Sequence, residues 1–229
     1  QQWATRSPRL VKQADTVLMY YPLNTSTSAS TKRHDVETYA RLQDPKGVAM
    51  TWGMQAIVSL DIGDEDAAAD YFRRGYEAFA RPPFYTWHEA NGTDGSDGQG
   101  APNMVTAAGG FLQSVWAGYG GVRFGERLKL QAPRPLPGSS RLKLRGVHYL
   151  GARLDIEATA EGWSVALNPR SPSDAPPLEL LMVSRGAQQG PRRGPERISR
   201  EPLRRRAGEH AEVAQVESEQ LVQDRHVYI

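Results

Sequence analysis

Glu89 is the residue from which the chemistry of this sequence can be read. It lies in PFYTWHEANGTDG, with Phe84, Tyr85 and Trp87 on one side and a loop rich in Gly, Asp and Asn on the other. Aromatic surface beside a carboxylate and a polar loop is what a sugar site needs. Sugar rings stack on aromatic faces, while hydroxyls and glycosidic oxygens need polar partners and an acid or base. A solvated loop ahead of a core helix would have the same composition, and the residues alone leave both readings open. The neighbouring His88 reads as a hydrogen-bonded structural residue, and Asp94 and Asp97 as caps of Asx turns.

The elements that would position Glu89 are mostly helical. VKQADTVLMYYPL (Val11 to Leu23) is expected to form a short apolar helix closed by Pro22. Arg33 to Leu42 reads as a polar helix, and Asp44-Pro45-Lys46-Gly47 as a turn. Val48 to Ile62 is apolar on every face, so a helix there must be enclosed on all sides. Gly63 is a good stop and Asp64 a good N-cap for an amphipathic helix from Glu65 to Phe79. An enclosed helix followed by a one-faced helix suggests the inner and outer members of a two-layer helical array. Asn103 to Tyr119 is helical again, and the Gly109-Gly110 pair inside it predicts close approach of a backbone or ligand, since each Gly costs about 1 kcal/mol against Ala.

Beyond Phe124 the period changes to two. Leu128/Leu130, Leu142/Leu144, Val147/Tyr149, Leu154/Ile156 and Trp163/Val165/Leu167 alternate with polar residues, predicting a small antiparallel β unit with too few strands for a comfortable sandwich. From Arg185 the chain mixes Arg, Glu, Pro and Gly with few large apolar residues, which predicts disorder. The enclosed helix has few neighbours to enclose it and the β unit looks unfinished, so the chain reads as a piece of something larger.

Composition narrows the function classes. The 229 residues contain no cysteine, which excludes disulfides and thiolate metal sites, and carry a net charge of +2, which does not argue for nucleic acid. No apolar run is long enough to cross a bilayer, and no metal-ligand spacing or cofactor motif is present, so neither metal nor cofactor is expected. Without a signal-peptide pattern, the expected location is cytoplasmic. The Arg-rich tail leaves a second function class open, a non-catalytic interaction product that binds through it.

Four stretches, VKQADTVLMYYPL, DPKGVAMTWGMQAI, PPFYTWHEANGTDG and NMVTAAGGFLQSVWAGYGGVRF, resemble glycoside hydrolase family 65 in the same order and at about the same separation. The resemblance runs from Leu10 to Leu167. It implies a mainly α fold: the last helices of an (α/α)6-barrel catalytic domain over residues 1–123, then an incomplete antiparallel β-sandwich over 124–168; the Arg/Pro/Glu-rich tail over 169–229 lies beyond the resemblance and is expected from composition to be disordered. It also implies that Lys12 and Gln13 hold a glucosyl unit and that Glu89 is the general base of an inverting hydrolysis, paired with an acid about 6.5–9.5 Å away. A carboxylate at this position would repel phosphate, which favours hydrolysis over phosphorolysis. The substrate implied is the glucosyl-galactosyl-hydroxylysine of collagen-like proteins, with trehalose as the alternative. The family's general acid lies N-terminal to the KQAD motif, outside this sequence, so the chain is expected to have little activity alone.

Overall fold

The computed structural model describes residues 10–44, 47–90, 100–172, 179–183, 213–217 and 225–228. The chain divides into two compact units, 1–114 and 115–229. The first is mainly helical, and the second is mainly strands after the π-helix at its start.

The helical unit begins with an extended stretch rather than a helix. Val11 forms an isolated parallel bridge with Gln43, and only Asp15–Met19 winds, as a 3₁₀ turn. The helix expected over Val11 to Leu23 is therefore corrected: Asp15 sits at φ +41, which a continuous α-helix cannot contain. Helix α1 (Ala29–Leu42) starts where Ser28 Oγ accepts from the Thr31 N–H at 3.0 Å. Tyr20, almost wholly buried, ties the 3₁₀ turn to α1 by donating its hydroxyl to Asp35 Oδ2.

Helix α2 (Thr51–Asp61) is the enclosed helix the sequence predicts, with ten of its residues buried. The expectation that it lacks neighbours within the chain does not hold, because α1, α3 (Glu65–Arg74), α4 (Val105–Gln113) and the 3₁₀ turn all pack on it. Trp52, the one half-buried residue, is covered by Tyr71 stacked at 5.7 Å and by the Arg74 guanidinium at 5.2 Å. The α2–α3 corner follows expectation: Gly63 takes φ +76, and Asp64 Oδ1 accepts from the Ala67 N–H at 3.1 Å. Of the Gly109-Gly110 pair, Gly110 marks a close approach. A Cβ on Gly110 would lie 3.3 Å from Met50 Cβ, and one on Gly53 would lie 2.9 Å from the Gly110 carbonyl oxygen, whereas Gly109 faces open space. After α4 the chain widens into a π-helix, Ser114–Tyr119.

Between α3 and α4 runs a short antiparallel ribbon, β1 (Ala80–Arg81) with β2 (Thr86–Trp87). Its far end carries Glu89.

The second unit holds two four-stranded sheets. One contains β5 (Arg141–Tyr149), β6 (Ala152–Thr159), β7 (Gly162–Leu167) and β9 (Val213–Glu217), all antiparallel. The other is ordered β10 (Arg225–Tyr228), β8 (Glu179–Val183), β4 (Leu128–Gln131), β3 (Val122–Arg123), with β4 and β8 parallel. Both sheets contribute to one apolar cluster, which includes Leu128, Leu130 and Leu180 from one and Leu154, Ile156 and Val165 from the other. The expectations of a purely antiparallel, unfinished unit and of disorder throughout 169–229 are thus corrected. Three segments of that tail are strands, and Leu180 is fully buried. The run ELLMV is apolar enough to serve as an inner strand, but composition averaged over an Arg-rich window hides it. The remainder of the tail lies outside the described residues.

Candidate active site

Three segments meet just ahead of α2. The first carries Lys12 and Gln13, both exposed, on the extended stretch before the 3₁₀ turn. This stretch is held to the end of α1 by two backbone hydrogen bonds, from the Val11 N–H to the Leu42 carbonyl at 2.8 Å and from the Asp44 N–H to the Val11 carbonyl at 2.9 Å. The buried amide of Gln43 adds a third tie, Nε2 donating to the Lys12 carbonyl at 3.2 Å.

The second segment is Gly47-Val48-Ala49. A Cβ on Gly47 would stand 2.9 Å from the Lys12 carbonyl oxygen and 2.5 Å from Gln43 Nε2, so only a glycine lets the chain pass here. The turn expected over 44–47 has its middle residues, Pro45 and Lys46, outside the described set; its ends are joined by the Gly47 N–H donating to the Asp44 carbonyl at 2.8 Å. Val48 and Ala49 are buried.

The third segment carries Glu89. Its carbonyl accepts from the Ala49 N–H at 3.2 Å, and its own N–H donates to the Ala101 carbonyl at 3.1 Å. The half-buried side chain accepts the Ala101 N–H on Oε2 at 3.2 Å. Glu89 is therefore bonded to the same short segment against which the Lys12 carbonyl packs. The two residues from Gly47 to Ala49 cannot span more than about 7 Å.

The aromatic residues divide into two groups. Trp87 turns inward, 5.3 Å from Phe111, and joins the Ala49–Phe79–Ala107 cluster, so it is not available as a sugar platform. Phe84 and Tyr85 sit at the tip between β1 and β2 and are 85% and 68% exposed. His88 Nε2 lies 3.4 Å from Thr86 Oγ1, as period-two geometry requires of residues on one face, and Glu89 falls on the opposite face. Asp94 and Asp97 lie outside the described residues. Among the described residues no group of His, Asp and Glu could hold a metal ion, and no helix is long and apolar enough to cross a membrane.

Comparison with known proteins gives this geometry its context. The chain is 36% identical over 175 residues to a protein-glucosylgalactosylhydroxylysine glucosidase from Danio rerio, covering 76% of this chain and 26% of that protein. It is 33% identical over 169 residues to the enzyme of the same name from Mus musculus, covering 74% of this chain and 24% of that one. The chain is a homologue of the protein-glucosylgalactosylhydroxylysine glucosidases. It spans about a quarter of the length of these curated relatives. A kojibiose hydrolase from Mucilaginibacter mallensis is 34% identical over 113 residues, 49% of this chain and 16% of that one. No family model matches. Among solved structures, a kojibiose phosphorylase-type protein from human microbiome superposes with a TM-score of 0.56 at 11% identity, covering 96% of this chain and 25% of its own, which is a likeness of fold. The homology to these glucosidases agrees with the resemblance to glycoside hydrolase family 65.

Proposed function

We propose that this chain carries the base-bearing part of an inverting α-glucosidase that releases glucose from glucosyl-galactosyl-hydroxylysine. Lys12 and Gln13 hold the glucosyl unit through its hydroxyls, an ammonium and an amide together offering donors and an acceptor of fixed polarity. Glu89 takes a proton from the attacking water on the face opposite the leaving group. The acid that protonates the leaving oxygen comes from helices outside these residues, with the helical unit forming the end of an (α/α)6 barrel. The proposed location is cytoplasmic.

The observation that carries this reading is the shared anchor. The Lys12 carbonyl packs against Gly47, and the Glu89 carbonyl accepts from the Ala49 N–H, so the stretch implied to hold sugar and the carboxylate implied to act on water both lie against one segment at the head of a buried helix. The names of the related enzymes supply the substrate, with trehalose the alternative. Kinetics of Glu89→Gln in the complete polypeptide test the reading on both disaccharides. The rate on glucosyl-galactosyl-hydroxylysine should fall about 10²–10⁴-fold. A variant within twofold of wild type would remove Glu89 from the chemistry, and faster hydrolysis of trehalose would reassign the substrate. The 229-residue chain alone should be nearly inactive; rates matching a full-length homologue would mean that it holds its own acid.

A further inference from the structure

The ribbon that leads to Glu89 is too short to hold it. β1 and β2 pair only Ala80 with Trp87 and Arg81 with Thr86, and a two-stranded ribbon of that size is marginal in water. Glu89 lies two residues past its last pair, so its position must be fixed by contacts outside the ladder. From the geometry we infer that Arg81 and Gly100 are positioning residues for the Glu89 carboxylate, an inference that rests on Glu89 being the base.

Arg81 reaches from β1 across to the chain beyond β2. Its Nη2 donates to the Ala90 carbonyl at 2.5 Å while its Nε donates to the Ala78 carbonyl at 3.2 Å. One guanidinium thus clamps the residue after Glu89 to the stretch before the ribbon. A planar fork with five donors can serve two carbonyls at once; a lysine ammonium on a flexible stem does so poorly.

Gly100 works from the other side. A Cβ there would meet the Ala90 nitrogen at 2.8 Å, Glu89 Cβ at 3.0 Å and Ala90 Cβ at 3.2 Å. Only a hydrogen at that position lets residues 100–101 lie against Glu89. That approach brings the Ala101 N–H onto Oε2 and the Ala101 carbonyl onto the Glu89 N–H. These two bonds hold both the backbone and one carboxylate oxygen of Glu89 against residues 100–101.

The test compares Arg81→Gln, Arg81→Lys and Gly100→Ala with Glu89→Gln, and each with Glu89→Gln in combination, in the complete polypeptide. Arg81→Gln and Gly100→Ala should each lower kcat about 10–100-fold, the scale of a misplacement near 1 Å, with KM within about twofold of wild type. Arg81→Lys, which keeps the charge and one of the two bonds, should fall between Arg81→Gln and wild type. In the Glu89→Gln background the same changes should cost nothing further, because groups that act through one another are not additive. In the 229-residue chain, hydrogen exchange at the Ala101 amide should quicken in Arg81→Gln while α2 amides hold their protection. Losses that multiply in the double variants, an unchanged kcat in Arg81→Gln, or equal loss of protection in α2 would each overturn the inference. Full activity of Glu89→Gln would instead sink the reading of Glu89 itself, a distinguishable result.

Discussion

The backbone N–H of Ala49 donates to the carbonyl of Glu89 at 3.2 Å, two residues after Gly47 passes under the Lys12 carbonyl. Ala49 stands just before α2, whose burial on every side gives it one position in the unit. The sugar-holding and water-activating parts of the proposed site therefore inherit their spacing from the packing of α2 and not from each other.

The glycines of that packing should separate by sign. Gly53→Ala puts a methyl 2.9 Å from the Gly110 carbonyl oxygen and should destabilise by about 1–3 kcal/mol, since backbone cannot move aside cheaply. Gly109→Ala, one residue from that contact, meets nothing within 4 Å and should gain up to about 1 kcal/mol from helix propensity. Denaturant midpoints of the two variants, measured in parallel, check both directions.

Gln43 is the second point of leverage. Gln43 is 5% exposed and its Nε2 bonds the Lys12 carbonyl, so Gln43→Leu should remove that bond at a cost of about 1 kcal/mol. Released from its tie, Lys12 should also hold glucose less well. Calorimetry with glucose and a thermal melt read the two effects; weaker binding at unchanged stability would place Gln43 in contact with sugar instead.

The sequence made α2 legible because an all-round apolar run has one physical meaning, and Gly63-Asp64 because corner chemistry is local. Val11 to Leu23 misled: its apolar residues suit a helix, but the bridge from Val11 to Gln43 is a long-range pairing that no local pattern announces. β8 failed for a related reason, since a parallel strand buried beside β4 carries no alternation. Glu89 was visible as a carboxylate among aromatics. Arg81 was not, because a lone arginine gives no sign of which carbonyls it will reach.

Asp155 should make the β unit sensitive to acid. Its Oδ1 accepts from Asn168 Nδ2 at 2.7 Å and from the Gly146 N–H at 2.8 Å, pinning the irregularity where β5 shifts register between Leu144 and Val147. Burial pushes its carboxyl up, but these two bonds, with Lys143 and Arg145 nearby, outweigh burial and hold it below the usual carboxylate range. A lowered folded value means that the carboxylate's contribution is complete above the unfolded value of about 3.9 and fades as pH falls through the folded one. Asp155→Asn should therefore be less stable than wild type at pH 7, by no more than about 1 kcal/mol for so accessible a group, with the difference closing towards pH 3. Unfolding midpoints taken from pH 7 to 3 read it directly.

Gln55 is wholly buried on α2, and neither its Oε1 nor its Nε2 meets a partner among the described residues; Thr51 Oγ1 and Ser59 Oγ, one turn to either side, are in the same condition. Unmet polar groups in an interior cost about 1–3 kcal/mol each, so Gln55→Met, close in volume, should raise the unfolding midpoint. A drop instead would show that ordered water fills the gap, which a crystal structure of the wild type would reveal.

Tyr85 carries the last consequence. It stands at φ +53 at the tip of the ribbon, a left-handed conformation that costs a bulky residue about 1–2 kcal/mol and that Asn or Gly adopts with less strain. A strained, 68% exposed tyrosine beside an 85% exposed phenylalanine contributes little to folding, yet the two lie only four and five residues before Glu89, so their backbones are at most about 14 and 18 Å from it. If the pair meets the part of the substrate beyond the scissile bond, Tyr85→Asn should raise stability by about 1 kcal/mol and raise KM while leaving kcat unchanged. Phe84→Ala should leave stability alone and raise KM as well. Should both variants keep the wild-type KM on glucosyl-galactosyl-hydroxylysine, the tip takes no part in binding, and the sugar must be gripped entirely by residues nearer Lys12 and Glu89.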